Sequence, residues 1–326
     1  MLNTIKKHWF IVLVGVLFVA ATVYFAYDMT KGFLPGKNVS GKDVVFEING
    51  QNVTADDLYE RLFDDLGNSA LYTLFERAVV AQSFTADKDM ISQAKIQAES
   101  TIANFKSYYG ETAYEAILLQ AIKGVGYSSI DDLDDYFLHL TMVESMTKAY
   151  FDTNMDKYLP EFVTAKKPRI VRHILVKMDD PTKPTEVEKT RWDEVKNALA
   201  GGESFEAVAK RLSDDTGSQP DSGLLGYVDS NTQFVPEFLA ATLALGSGET
   251  SEWVRTTYGY HLIRIDSTDL ADLKKEDGFY QALSSYYPKA VFTMIWENAK
   301  KLNIDFKGND DIKARLLSFM SIEEAE

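Results

Sequence analysis

Residues 169–177 read Arg-Ile-Val-Arg-His-Ile-Leu-Val-Lys, a β-rich run set between two long stretches of helical pattern. That placement constrains the organisation of the whole chain. Leu225-Gly226-Tyr227-Val228 and residues 260–265 supply further strand signals, while helical segments run through Trp192, Val195 and Leu199, over residues 205–212, and through Phe238 and Leu245. Gly201-Gly202 ends the first of these helices, and Gly217, Pro220 and Gly223 mark a loop. From about residue 89 to residue 158 the pattern is helical, and the composition changes after Pro160. Beyond Asp266 helices return, with Val291, Ile295, Ala299 and Leu302 in an apolar stripe that Ile312, Leu316 and Phe319 continue. A β-containing unit with helices on either side predicts an insertion. The expected fold class is α+β, a small antiparallel sheet surrounded by helices at 164–268, inserted in a mainly α-helical domain built from residues 44–163 and 269–326.

The front of the chain reads differently. Lys6 and Lys7 precede an uncharged apolar run over residues 9–26, and about eighteen such residues in a helix nearly cross the hydrocarbon core of a bilayer. Trp9, Tyr24 and Tyr27 lie near its ends, as interfacial aromatics do. Residues 1–30 are therefore expected to be one N-terminal transmembrane anchor, with a cleaved signal peptide as the rival; Tyr24 and Phe25 spoil the cleavage site just before Ala26. Lys31, Lys37 and Lys42 weaken the charge asymmetry, so an outward-facing body rests partly on the shortness of the N-terminal arm. Residues 31–43 read as a linker. Asn49-Gly50 predicts a hairpin turn inside residues 44–53, Thr54 an N-cap with Asp57 three residues on, and Leu58 and Leu62 a first helix. Leu71, Leu74, Phe75, Ala78 and Val79 share one face of a second.

Composition excludes several functions. A net charge of -15 disfavours nucleic acid as a partner, since phosphate binding needs a basic surface. The absence of cysteine rules out disulfides, thiolate metal sites, cysteine nucleophiles and lipid attachment through an N-terminal cysteine. With no His/Cys cluster and no glycine-rich phosphate loop, no cofactor is expected.

Two of the four histidines lie in the β-type runs of the inserted unit. Strand alternation puts His173 on the face of Val171 and Leu175, and His261 on the face of Ile263 and Ile265, so both imidazoles are expected on an apolar, buried face. A buried histidine is usually a hydrogen-bonded core residue, and the pair alone adds only modestly to a functional reading.

The order of segments adds more. His173-Ile174-Leu175-Val176, residues 204–209, Ser213-Asp214-Asp215, Gly223-Leu224-Leu225-Gly226-Tyr227, residues 234–238, Gly248-Glu249-Thr250-Ser251 and Tyr258-Gly259-Tyr260-His261 together resemble the parvulin family of prolyl isomerases. The flanks resemble the PrsA-type foldases, in which a parvulin domain is inserted in a helical chaperone domain, and the opening of the SurA-type chaperones. The resemblance implies His173, Asp215, His261 and Thr256 as the catalytic set and Leu225, Phe234 and Phe238 as the binding surface for proline. It implies an isomerase and chaperone assisting exported proteins, held at the cell membrane as a single-pass protein with its body outside. Its partners would be unfolded exported polypeptides with X-Pro bonds and, through the N-terminal helix, the lipid bilayer; pairing with a second copy is left open. PrsA-type proteins are usually anchored by lipid on cysteine, which this chain lacks. Leu224 stands where the family has Asp, and Tyr258 replaces a smaller residue at the pocket rim. Either departure keeps a second reading in view, a catalytically weak holdase or scaffold. Asp179 and Asp180 follow the first strand where phosphate-directed members need clustered cations, so phosphorylated substrates are not expected.

Overall fold

The computed structural model describes residues 37–57 and 67–323. It opens with an antiparallel meander of β1 (Lys37–Val39), β2 (Lys42–Ile48) and β3 (Gln51–Thr54). Residues 37–43 are thus strand and turn rather than linker. The reason is local: Ser40 and Gly41 both take positive φ, 57° and 84°, as a two-residue hairpin turn requires, and Asn49 and Gly50 repeat this at 49° and 81°. Thr54 and Asp57 cap each other reciprocally, the Thr54 N–H donating to Asp57 at 2.8 Å and the Asp57 N–H to Thr54 Oγ1 at 3.2 Å. The apolar run at 9–26, the rest of the expected linker, Leu58 and Leu62 lie outside the described residues. Among the described residues no helix is long and apolar enough to cross a membrane.

Among the described residues there follow the α-helices α1 (Asn68–Ser83), α2 (Lys88–Tyr109), α3 (Tyr114–Lys123), α4 (Leu133–Thr153) and α5 (Met155–Lys166). Both ends of the chain do build one body. Val79 and Val80 of α1 and Met146 of α4 pack with Met294, Ile295 and Ala299 of a C-terminal helix, and Leu71, Tyr72 and Phe75 pack with Trp296, Leu316 and Met320. The buried face of α1 therefore runs through Leu71, Tyr72, Phe75, Val79 and Val80. Leu74 and Ala78, expected on that face, sit at its edge and are exposed, because α1 is packed by α4 on one side and by the C-terminal helices on the other. Helices α2, α3 and the start of α4 form a separate cluster around Ala98, Leu118, Ile122, Tyr127 and Leu133.

Helix α5 continues through Pro160 to Lys166, so the expected boundary at 164 falls inside it. Proline here removes one helical hydrogen bond without ending the helix. Lys167 turns the chain with a φ of 50° into β4 (Arg169–Lys177). Then come α6 (Glu186–Ala200), α7 (Phe205–Leu212), β5 (Leu224–Val228), α8 (Pro236–Ala244), β6 (Val254–Thr256) and β7 (Gly259–Ser267). The four strands form one antiparallel sheet in the order β5-β4-β7-β6. On one face Ile174, Val176 and Leu262 pack on Val195, Val208 and Leu212 of α6 and α7. On the other, Val171, Ile263 and Ile265 meet Val228 and Phe238. Burial on both faces explains why β4 reads as a nearly continuous apolar run.

The chain returns to the body through α9 (Leu270–Leu273), α10 (Asp277–Tyr286), α11 (Pro288–Lys301) and α12 (Asp310–Met320). Ile170, where the domain begins, shares a core with Phe151, Phe162, Leu273, Phe279 and Leu283, and Leu224 and Tyr227 pack against it. Body and inserted domain thus meet through apolar contacts at the join.

Candidate active site

The register of β4 on β7 sets Leu175 opposite His261 and His173 opposite Ile263. The two histidines are diagonal neighbours on one face of the sheet, close enough for side chains of this length to touch. Their rings lie nearly parallel, 15° apart, with Nδ1 to Nδ1 at 3.3 Å, and both are buried.

Strand β5 pairs with β4 only as far as Arg172, and beyond that point a loop takes over the edge of β4. The His173 N–H donates to the Gly223 carbonyl at 2.8 Å, the Leu175 N–H to Ser213 Oγ at 3.1 Å, and the Asp214 N–H to the Leu175 carbonyl at 2.8 Å. Gly223 is required here: its φ is 79°, and a Cβ on it would come within 2.2 Å of the His173 carbonyl oxygen. These bonds deliver Asp215 to the imidazoles. Asp215 Oδ2 lies 2.7 Å from His173 Nε2, and Ser218 Oγ donates to the same oxygen while lying 3.1 Å from His173 Nε2. The Gly217 N–H donates to Asp215 Oδ1 at 3.2 Å. At the other end Thr256 Oγ1 is 2.8 Å from His261 Nε2 and accepts the Tyr258 N–H at 3.1 Å.

One assignment of protons satisfies every group. A carboxylate only accepts, so His173 carries its proton on Nε2 and presents a bare Nδ1 to His261. His261 then donates from Nδ1 and accepts from the Thr256 hydroxyl at Nε2. Both rings are neutral in this arrangement, and their surroundings keep them so. Burial pushes His173 below the ordinary histidine range against the pull of Asp215. Burial, with the neighbouring His173, takes His261 down to about 4. Burial pushes the Asp215 carboxyl up, but hydrogen bonds from Ser218 and His173 together hold it below the usual range. The result is a directed pair of neutral imidazoles that ends on one carboxylate.

Above this floor lies a cleft of about 380 Å³, walled by Leu175, Leu225, Gln233, Phe234, Val235, Phe238 and Tyr258. Phe238 is buried and meets both imidazoles edge-on, with ring centroids 5.4 Å from His173 and 5.1 Å from His261. Phe234 stands against it at 5.0 Å. Phe238 lies in the first turn of α8, which Pro236 opens, and Phe234 in the loop just before it. The far end of α8 is fastened by the buried Arg169, whose guanidinium donates to the carbonyls of Thr242 and Leu245.

All seven expected residues come together. His173, Asp215, His261 and Thr256 form the hydrogen-bonded chain, and Leu225, Phe234 and Phe238 line the cleft, which Thr256 does not reach directly. Ser218 was not anticipated. The signal available for it was the Asp215-x-x-Ser218 spacing, short enough for a loop to fold one side chain onto the other. Of the two departures, Leu224 points away from the cleft into the core shared with the body, whereas Tyr258 does line the rim. Among the described residues no group of three or more His, Asp or Glu could hold a metal ion.

Comparison with known proteins places the chain in a family. The family model for the PPIC-type PPIASE domain (Rotamase) matches residues 173–267. "Foldase protein PrsA 3" of Bacillus anthracis is 31% identical over 230 residues, 69% of each chain. "Foldase protein PrsA" of Geobacillus sp. (strain WCH70) is 26% identical over 279 residues, 84% of this chain and 91% of that one. Among solved structures, PrsA from Bacillus subtilis aligns over 82% of this chain and 96% of its own, at 25% identity and a TM-score of 0.42. The chain belongs to the PrsA foldases and is a peptidyl-prolyl cis-trans isomerase whose parvulin domain is inserted in a helical body.

Proposed function

We propose that the cleft over His173 and His261 takes the proline ring of an unphosphorylated X-Pro segment, in unfolded polypeptides that have crossed the membrane to which residues 9–26 anchor the chain. The observation that carries this reading is an apolar slot whose floor is a buried, uncharged pair of imidazoles with every hydrogen-bonding group matched.

Rotation about an X-Pro amide faces a barrier of about 20 kcal/mol because conjugation makes the C–N bond partly double. The twisted amide has lost that conjugation and with it much of its charge separation. A site that grips the ring and excludes water therefore favours the twisted form over the planar one. Leu225, Phe234 and Phe238 provide the grip. His173 and His261, held neutral and fixed in tautomer by Asp215 and Thr256, provide a polar surface beneath the rotating carbonyl without adding a charge. No covalent intermediate is needed.

Asp179 and Asp180 support the preference for unphosphorylated segments. Thr182 donates to Asp180 through both its N–H, at 2.9 Å, and its hydroxyl, at 2.6 Å, and these bonds hold the carboxyl below its usual range, so the loop beyond β4 carries fixed negative charge. A phosphate dianion docked against this loop would be repelled. The inward packing of Leu224 favours catalysis over the holdase reading, because the departure at that position leaves the cleft untouched.

Two measurements test this. Full chain assayed on matched Ser-Pro and phosphoserine-Pro peptides should show a higher kcat/KM for the first; the reverse order would refute the charge argument. Protease added to intact cells should remove the chain beyond Asp28, and full protection would refute the outward orientation.

A further inference from the structure

Ser218 lies buried, 4% exposed, at the foot of a 3-10 turn over Gln219–Asp221, and its carbonyl accepts the N–H groups of Asp221 at 3.1 Å and Gly223 at 2.8 Å. The loop that carries it is tied down at both ends. The Gln219 N–H donates to the Asp215 carbonyl at 2.8 Å, and Arg172 on β4 donates to the carbonyls of Asp221 at 2.9 Å and Ser222 at 2.7 Å. The backbone therefore fixes where the Ser218 hydroxyl points. That hydroxyl has one proton, which goes to Asp215 Oδ2, and a lone pair facing His173 Nε2 at 3.1 Å.

We propose that Ser218 is a positioning residue of the isomerase site: its hydroxyl pins Asp215 Oδ2 against His173 Nε2 and so selects the tautomer with the proton on Nε2. The inference rests on the reading of His173 and Asp215 as part of the working floor. The need for such a pin follows from exposure. The Asp215 side chain keeps 29% of its surface in solvent, so water competes for Oδ2, and Gly217 restrains only the other oxygen. The hydrogen-bonded chain can also run the opposite way. With the proton of His173 on Nδ1, His261 would carry its own on Nε2 and the Thr256 hydroxyl would turn to accept it. Only a group that stays an acceptor beside His173 Nε2 sets the direction. Ser218 spends its one proton on the carboxylate and offers His173 nothing but a lone pair, so both groups enforce the same choice.

The test uses the full chain with ¹⁵N-labelled histidine, of which it has four. Wild-type protein should show His173 with a protonated Nε2 and a bare Nδ1. Ser218→Ala should move both His173 nitrogens toward averaged values and lower kcat about tenfold, the equivalent of 1.4 kcal/mol of lost orientation, with KM little changed. Ser218→Thr keeps the hydroxyl and should retain the wild-type tautomer and most of the turnover. Wild-type kcat and unchanged shifts in Ser218→Ala would overturn the proposal, as would an equal loss in both variants that follows their melting temperatures. Asp215→Ala separates the two levels of the argument. If that variant keeps wild-type turnover, the floor itself is misread; if it loses turnover while Ser218→Ala does not, only the role of Ser218 falls.

Discussion

Replacing Phe238 with Ala takes away a ring that serves two structures at once. On its inner side the ring packs with Val171, Val228, Ile263 and Ile265; on its outer side it walls the cleft and covers the edges of His173 and His261. Phe→Ala in a closed core costs about 3–5 kcal/mol, and each edge-on aromatic contact adds about 0.5–1.5 kcal/mol beyond area. Because the space left behind opens onto the cleft and water can enter it, the low end applies, about 3 kcal/mol. Binding suffers separately. A proline ring that loses about 50 Å² of apolar contact binds about 1.3 kcal/mol more weakly at 25 cal/mol per Å², a tenfold rise in KM. Water over the imidazoles also weakens the apolar environment of the twisted amide, so kcat should fall as well. A protease-coupled isomerase assay beside a thermal melt separates these effects, with Phe238→Leu as the control that keeps an apolar wall. Refutation would be a variant with a lowered melting temperature and wild-type kcat/KM, which would make Phe238 a core residue only.

Acid should destabilise the inserted domain. His261 falls from an ordinary value near 6.5 to about 4 on folding, so the unfolded chain binds more protons between those values; the stability this gives is complete above pH 6.5 and lost as pH drops through 4, about 3 kcal/mol in all. The lowered His173 and Asp215 act in the same direction, Asp215 below its usual range, and urea titrations that find equal stability at pH 7 and pH 4.5 would refute the neutral pair. Asp215→Asn can keep its oxygen on His173 and leave the exposed Gly217 N–H to water, but it exchanges a charged acceptor for a neutral one, worth about 1 kcal/mol. Turnover should fall about fivefold, and in Asp215→Ala further than its lowered melting temperature accounts for. Residues 164–268 expressed alone should fold cooperatively, at a lower melting temperature because Ile170, Leu224 and Tyr227 lose the helices they pack on; the absence of a transition would refute the domain boundaries.

How much of this was readable in advance depends on how local the cause is. Alternation in β4 and β7 placed His173 and His261 each on the apolar face of its own strand because period 2 is a property of the strand itself, whereas the register that makes them neighbours is set by pairing. The order of motifs placed Asp215 and the aromatic wall. Thr256 was named by resemblance, but its strand, three residues long, carries too short a pattern to be seen. Ser218 works through a loop whose shape comes from Arg172, Gly223 and the uncovered edge of β4, all set by tertiary contacts. Leu74 and Ala78 fit an apolar stripe, yet which edge of that stripe is buried was decided by the direction from which α4 and α11 arrive. Leu224 looked like a defect in the site because the family it resembles has Asp there, yet strand alternation turns it away from the face of Leu225, which lines the cleft.

A cleft of this kind accelerates rotation about X-Pro rather than merely holding the segment. Exchange spectroscopy on an unphosphorylated Ala-Pro peptide with full chain at pH 7 measures that rotation directly. Faster cis–trans exchange that saturates with peptide and is lost in Phe238→Ala is the expected result. Peptide that binds, broadening the signals of Phe238 and Tyr258, while exchanging at its uncatalysed rate would contradict it.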